Sequence, residues 1–256
     1  MPYLSINQQS YYYQTTQPRQ FDAEVLVCLH GSGGDGSVWE ELSGLLGGEY
    51  TVIRPDLPGH GKSGGSLLES AADYARWLGR LVKELVLPRL FLAGHSLGGA
   101  IVQEYAALFP QALKGIVLAG TGASFAVQED YVQLLRSDFE AAVKASCAGA
   151  YAAEVPPEIV RRGTMMLKQN GPEVLQQDLM VCKRFDGLAV LPKITTPALI
   201  LCGSEDSITP ALLSQNLVNS LSESELHQIS DAGHMVMNEN PERVSELVRG
   251  FVVGKQ

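Results

Sequence analysis

The sequence predicts an α/β protein: a mostly parallel, eight-stranded sheet with helices on both faces and one helical insertion. Three observations carry this expectation. Short runs rich in Val, Ile and Leu recur along the 256 residues with helical patterns between them, the alternation of buried parallel strands and their crossovers. One such run, Leu90-Phe91-Leu92-Ala93, leads directly into Gly94-His95-Ser96-Leu97-Gly98, a strand-to-helix turn so tight that two positions must lack a side chain. The alternation then stops between 122 and 190, where helical patterns continue without a convincing strand.

Each element has its own signal. Residues 3–16 alternate with many β-formers around Asn7-Gln8-Gln9, which predicts an antiparallel hairpin at one edge of the sheet. Parallel strands are expected near 24–29, 51–55, 89–94, 115–119, 197–202 and 225–229. Ser66-Leu67-Leu68-Glu69 has capping-box spacing ahead of the stripe Ala71, Tyr74, Ala75, Leu78, Leu81, Val82 and Leu85. Beyond Ser96, the residues Ala100, Ile101, Tyr105 and Leu108 predict a helix that Phe109-Pro110 ends. Near the C-terminus Asn240 is placed to cap a helix opened by Pro241, with Val244, Leu247, Val248 and Phe251 facing inward.

Composition narrows the classes. A formal charge of −9 argues against nucleic acid, and no apolar run approaches the ~18 residues of a membrane span. Met1-Pro2-Tyr3-Leu4-Ser5-Ile6 lacks the basic and apolar regions of a secretory signal, and Cys28, Cys147, Cys182 and Cys202 are widely spaced. A cytoplasmic location is expected. Gly61-Lys62-Ser63 imitates the end of a phosphate-binding loop, but Asp56 stands where that motif needs glycine. The other histidines, His30, His60, His95 and His227, show no metal-ligand spacing, so neither metal nor cofactor is expected.

The chemistry centres on Ser96. A serine on a strand-to-helix turn presents its oxygen at a helix N-terminus, where N–H groups and the helix dipole favour developing negative charge. An acid and a histidine follow in chain order, each just past a predicted strand: Glu205 and Asp206 after 197–202, and His234 after 225–229. In an open parallel sheet such positions converge at the carboxyl ends of the strands. The arrangement suits acyl transfer, with Ser96 as nucleophile, His234 as base and Asp206 as its orienting acid; Glu205 and Asp231 compete for the last role.

Together with Leu29-His30-Gly31-Ser32-Gly33-Gly34 and Asp56-Leu57-Pro58-Gly59-His60-Gly61-Lys62-Ser63, these motifs make the chain resemble an α/β-hydrolase-fold serine hydrolase over essentially its whole length. The resemblance implies a carboxylesterase-like core of 1–121 and 191–256, with 122–190 as a helical cap over the site. It further implies an oxyanion hole made by the backbone N–H groups of Ser32 and Leu97. Phe125, Met165, Met166, Met180 and Met235 are the candidate substrate contacts, with Tyr131, Phe139 and Phe185 as further candidates in the cap. The expected partner is a small to medium carboxylic ester. The same skeleton also serves carbon-carbon hydrolases, lactonases, thioesterases and perhydrolases, and a lyase or small-molecule receptor could use the same pocket.

Overall fold

A computed structural model describes residues 3–19 and 22–255. Met1 and Pro2, at the start of the N-terminal stretch read above, lie outside them. The strands are β1 (Tyr3–Ile6), β2 (Gln9–Thr15), β3 (Val25–Leu29), β4 (Thr51–Pro55), β5 (Leu90–His95), β6 (Leu113–Ala119), β7 (Ala198–Gly203) and β8 (Ser224–Ile229). They form one sheet in the order β1-β2-β4-β3-β5-β6-β7-β8. Only the β1–β2 and β2–β4 pairings are antiparallel. The hairpin turn has Asn7 at φ 50 and Gln8 at φ 66, the two left-handed residues that a two-residue loop needs to match the strand twist.

Helices cover both faces: α1 (Glu40–Leu46), α2 (Ala71–Glu84), α3 (Leu97–Leu108), α4 (Glu129–Ser137), α5 (Phe139–Ala150), α6 (Pro157–Asn170), α7 (Pro172–Arg184), α8 (Ala211–Ser220), α9 (Val236–Glu239) and α10 (Pro241–Val253). Alternate residues of β3 enter opposite cores. Val27 and Leu29 join Tyr74, Leu78 and Ile101 from α2 and α3, while Leu26 and Cys28 join Leu42, Val244 and Val248 from α1 and α10. This period of two is why the central strands read as unbroken apolar runs: both of their faces are dry.

The caps are partly as expected. Asn240 accepts from Arg243 N–H with Pro241 at the first helical position. The N-cap of α2 is Ser70, not a residue of the Ser66–Glu69 box; Ser70 accepts from Asp73 N–H at 3.1 Å and donates to the Asp73 carboxylate at 2.6 Å. Ser70-x-x-Asp73 therefore caps the helix four residues on, with the aspartate bonded to the Ser70 hydroxyl. Leu108 is 43% exposed because α3 runs out of the core at its last turn.

Two features position the site. The order β4-β3-β5 reverses direction at β3, which opens a crevice between the loops that follow β3 and β5. Between β6 and β7 the chain inserts α4–α7; Pro157 and Pro172 each open a helix, and Gly171 at φ 86 separates α6 from α7. Among the described residues no helix is long and apolar enough to cross a membrane.

Candidate active site

Ser96 stands between β5 and α3 at φ 52, ψ −118, strained geometry for a residue with a side chain. Its neighbours enforce the turn. A Cβ on Gly94 would fall 2.3 Å from the Gly98 carbonyl oxygen, and one on Gly98 would fall 2.5 Å from that of Leu29. Both glycines are therefore steric requirements of packing β5, α3 and the loop after β3 together. Ser96 N–H donates to the Ala119 carbonyl at 3.0 Å, and Thr121 Oγ1 donates to the Ser96 carbonyl at 2.9 Å, so the backbone is clamped on both sides.

Asp206 follows β7 and His234 follows β8. His234 Nδ1 lies 2.9 Å from Asp206 Oδ2, and both side chains are almost wholly buried. Thr209 Oγ1 donates to the same carboxylate oxygen at 2.6 Å, while the N–H groups of Ile208 and Thr209 donate to Oδ1 at 2.9 and 2.8 Å. Burial alone would raise the Asp206 pKa, but the hydrogen bond from His234 and the attraction of its protonated form, with the Thr209 donors, outweigh it and hold the carboxyl below its ordinary value. Asp206 is thereby kept ionised, and its bond fixes the imidazole with the proton on Nδ1 and the lone pair on Nε2.

The rival acids are elsewhere. Glu205 accepts from Ala153 N–H, and the Asp231 backbone, at φ 56, donates to Ser204 in a turn. Glu239 braces the histidine loop by accepting from the N–H groups of Gly233 and Met235 at 3.0 Å each. His95 lies against the same loop, with its Nε2 3.1 Å from the His234 carbonyl. Ser96 Oγ and His234 make no hydrogen bond among the described residues, a contact that is often loose before substrate enters.

The loop after β3 meets Ser96 from the other side. A Cβ on Gly31 would lie 3.0 Å from Ser96 Cβ and 2.9 Å from His95 Nδ1. Among the described residues, neither Ser32 N–H nor Leu97 N–H makes a hydrogen bond. His30 braces this loop: its Nδ1 donates to the Gly31 carbonyl at 2.9 Å and its Nε2 accepts from Leu57 N–H at 3.0 Å. Burial and the neighbouring His60 lower its pKa to about 4, which keeps it neutral in that bracing role.

Asp56 explains the second glycine-rich motif. Its carboxylate accepts from Gly36 and Lys62 N–H at 2.8 Å each, and a Cβ on Gly61 would fall 2.3 Å from it. That segment ties two loops together and contributes no group to the cavity wall.

Ser32, His95, Ser96 and His234 open onto one cavity of about 360 Å³, at the small end for ligand pockets. It lies between the strand ends and α4–α7, and Phe125, Tyr131, Met166 and Met235 line it. Met165 and Met180 do not. Met165, turned about 100° along α6 from Met166, is 54% exposed, while Met180 is half-buried outside the wall. Phe139 and Phe185 are also core residues rather than wall residues. Among the described residues, no Lys, Arg, Asp or Glu lines the cavity. Among the described residues, no group of three His, Cys, Asp or Glu is arranged to hold a metal ion.

Sequence reading missed Thr209, Glu239 and the insertion residues that reach the loop after β3. Asp206 accepts from Ile208 N–H two residues on, an Asx turn that places Thr209 beside the same carboxylate and is a local signal; the others depend on contacts between distant segments.

With this geometry in hand, comparison with known proteins is direct. A putative carbamate hydrolase RutD of Yersinia enterocolitica is 30% identical over 261 residues, covering 94% of this chain and 92% of the relative. A pimeloyl-[acyl-carrier protein] methyl ester esterase of Neisseria meningitidis is 28% identical, covering 88% and 92%. An enol-lactonase of Burkholderia xenovorans superposes with a TM-score of 0.91 at 21% identity, covering 98% of this chain and 100% of that one, a likeness of fold. The model of the alpha/beta hydrolase family matches residues 26–247, and the chain belongs to that family.

Proposed function

We propose that this hydrolase cleaves small to medium uncharged carboxylic esters through an acyl-enzyme on Ser96. The observation that carries the reading is the conjunction at one apolar cavity of a strained serine, a carboxylate-bound histidine and two unengaged backbone N–H groups. Ser96 Oγ attacks the ester carbonyl carbon and gives its proton to His234 Nε2. The oxyanion that forms is stabilised by the N–H groups of Ser32 and Leu97. Collapse of the adduct expels the alkoxide, which takes the proton from His234. Water then repeats the cycle on the acyl-enzyme and releases the acid.

Asp206 stabilises the imidazolium formed in both halves. Residues 122–190 serve as a cap whose inner face, with Phe125 and Met166, contacts the acyl group beside Met235 of the core. The absence of a charged wall residue favours a neutral ester over an anionic carbamate, which would lose its hydration without gaining a cation.

A chain-length series of aryl esters tests the reading. Each methylene buried adds about 0.8 kcal/mol until the cavity is full, so kcat/KM should peak at roughly two to eight acyl carbons. A maximum on long-chain emulsified lipid, or no turnover across the series, contradicts it.

A further inference from the structure

The loop that carries Ser32 is held from the insertion, by residues far downstream. Gly33 N–H donates to Asp178 Oδ2 on α7 at 2.7 Å, across 145 positions of sequence. Asn170, the last residue of α6, donates through Nδ2 to the carbonyls of Gly33 and Gly34 at 3.0 Å each, and its Oδ1 accepts from Gly61 N–H at 2.7 Å. Gly34 N–H closes back on the Gly31 carbonyl at 3.1 Å. The backbone groups of Gly33 and Gly34 are thus all engaged, while among the described residues the adjacent Ser32 N–H makes no hydrogen bond and Ser32 borders the cavity. Packing adds to this hold, because a Cβ on Gly33 would fall 2.7 Å from Leu167 of α6 and 3.2 Å from Leu175 of α7.

Asp178 does not stand alone. His60 Nε2 lies 2.9 Å from the same Oδ2, with both side chains fully buried, and His60 Nδ1 faces the Pro58 carbonyl at 3.0 Å. Both ring nitrogens meet acceptors, so both donate, and His60 is an imidazolium. Its charge matters for the site. A lone carboxylate beside Gly33 would oppose the oxyanion forming at Ser32, whereas the His60–Asp178 pair supplies the hydrogen-bond acceptor with no net charge.

We infer that Asp178 and Asn170 are positioning residues for the oxyanion loop, so that the insertion builds the catalytic site as well as covering it. The inference rests on the serine-hydrolase reading above. A buried ion pair that served only folding would affect stability and leave the chemistry of the folded enzyme untouched, and that difference can be measured.

The test uses the full chain as wild type, Asp178→Ala, Asp178→Asn and Asn170→Ala. Lys183→Ala, which breaks an exposed ion pair with Glu129 on the same insertion, is the control. Thermal melting, kcat and KM on a short-chain aryl ester, and the rate of labelling by a fluorophosphonate are compared. Asp178→Ala should lower kcat about 10- to 100-fold with KM within about threefold, and labelling should slow in step. Asp178→Asn, which keeps an acceptor for Gly33 N–H, should recover much of that loss. Asn170→Ala should lose about 3- to 10-fold in kcat, and Lys183→Ala should stay within about twofold of wild type.

If Asp178→Ala does not fold, Asn170→Ala decides the question. Folded variants with wild-type kcat and labelling rates, or a loss confined to KM, overturn the positioning role. A wild type inert to both ester and probe overturns the serine reading and this inference with it, whereas a reactive wild type with unaltered variants overturns the inference alone.

Discussion

The turn around Ser96 and the anchor around Asp178 both hold a backbone in one conformation beside the cavity, by opposite means. The turn is steric and its glycines fall within one short window: Gly94 and Gly98 are required because a Cβ at either would meet backbone within 2.3–2.5 Å, that of Gly98 itself for Gly94 and that of Leu29 for Gly98. The anchor is long-range and polar: Asp178 and Asn170 reach Gly33 across 145 and 137 residues through hydrogen bonds, the first buried and the second partly buried. Steric turns leave a residue pattern in one short window. Polar anchors leave none, because any Asp or Asn on a helix looks alike until the fold brings its partner within reach.

The largest expected effect lies on the steric side. Ser96→Ala should remove ester turnover by a factor of about 10⁴ or more while the melting temperature stays near that of wild type, as followed by a discontinuous ester assay and calorimetry. Asp206→Asn should follow at about 10³- to 10⁴-fold, because the neutral amide no longer supports the imidazolium; Glu205→Gln, whose carboxylate bonds to the Ala153 backbone instead, should be nearly silent. Gly98→Ala tests the sterics themselves. It should cost about 1–3 kcal/mol in denaturant melts and abolish labelling at Ser96, since the intruding Cβ separates α3 from the loop after β3.

How much was legible in the sequence follows from the same contrast. The eight strands, the hairpin turn at Asn7 and Gln8, the Pro-opened helices α6, α7 and α10 and the positions of Ser96, Asp206 and His234 are set by local pattern or by motif order. The start of α2 differs from the expectation because two Ser-x-x-acid boxes, Ser66–Glu69 and Ser70–Asp73, follow one another directly, and only Ser70 meets the first turn of the helix. Within the insertion the failure was one of phase. Met165 and Met166 are consecutive and lie about 100° apart on the helix, and sequence alone does not say which of them meets the cavity until the neighbouring helices are placed.

Two smaller effects sharpen the comparison. Burial by itself would lower the His60 pKa, but Asp178 outweighs it and raises the value above the ordinary one. The stability this pair contributes is therefore fully present below the unfolded histidine value and declines as pH rises through the higher folded value. Stepped-pH thermal melts should show that alkaline decline in wild type and lose it in His60→Gln; equal slopes would contradict the charged pair. Smallest of all, Met166→Ala should move the preferred acyl length up by about one or two carbons with a few-fold change in kcat/KM, whereas Met165→Ala should change neither.

The most direct measurement is site-mapped labelling of the intact protein by a fluorophosphonate, read by peptide mass spectrometry. A single adduct on Ser96 is expected in wild type, slowed in Asp206→Asn and absent in Ser96→Ala. An adduct on another residue, no adduct at all, or ester turnover that survives Ser96→Ala would contradict the acyl-enzyme on Ser96.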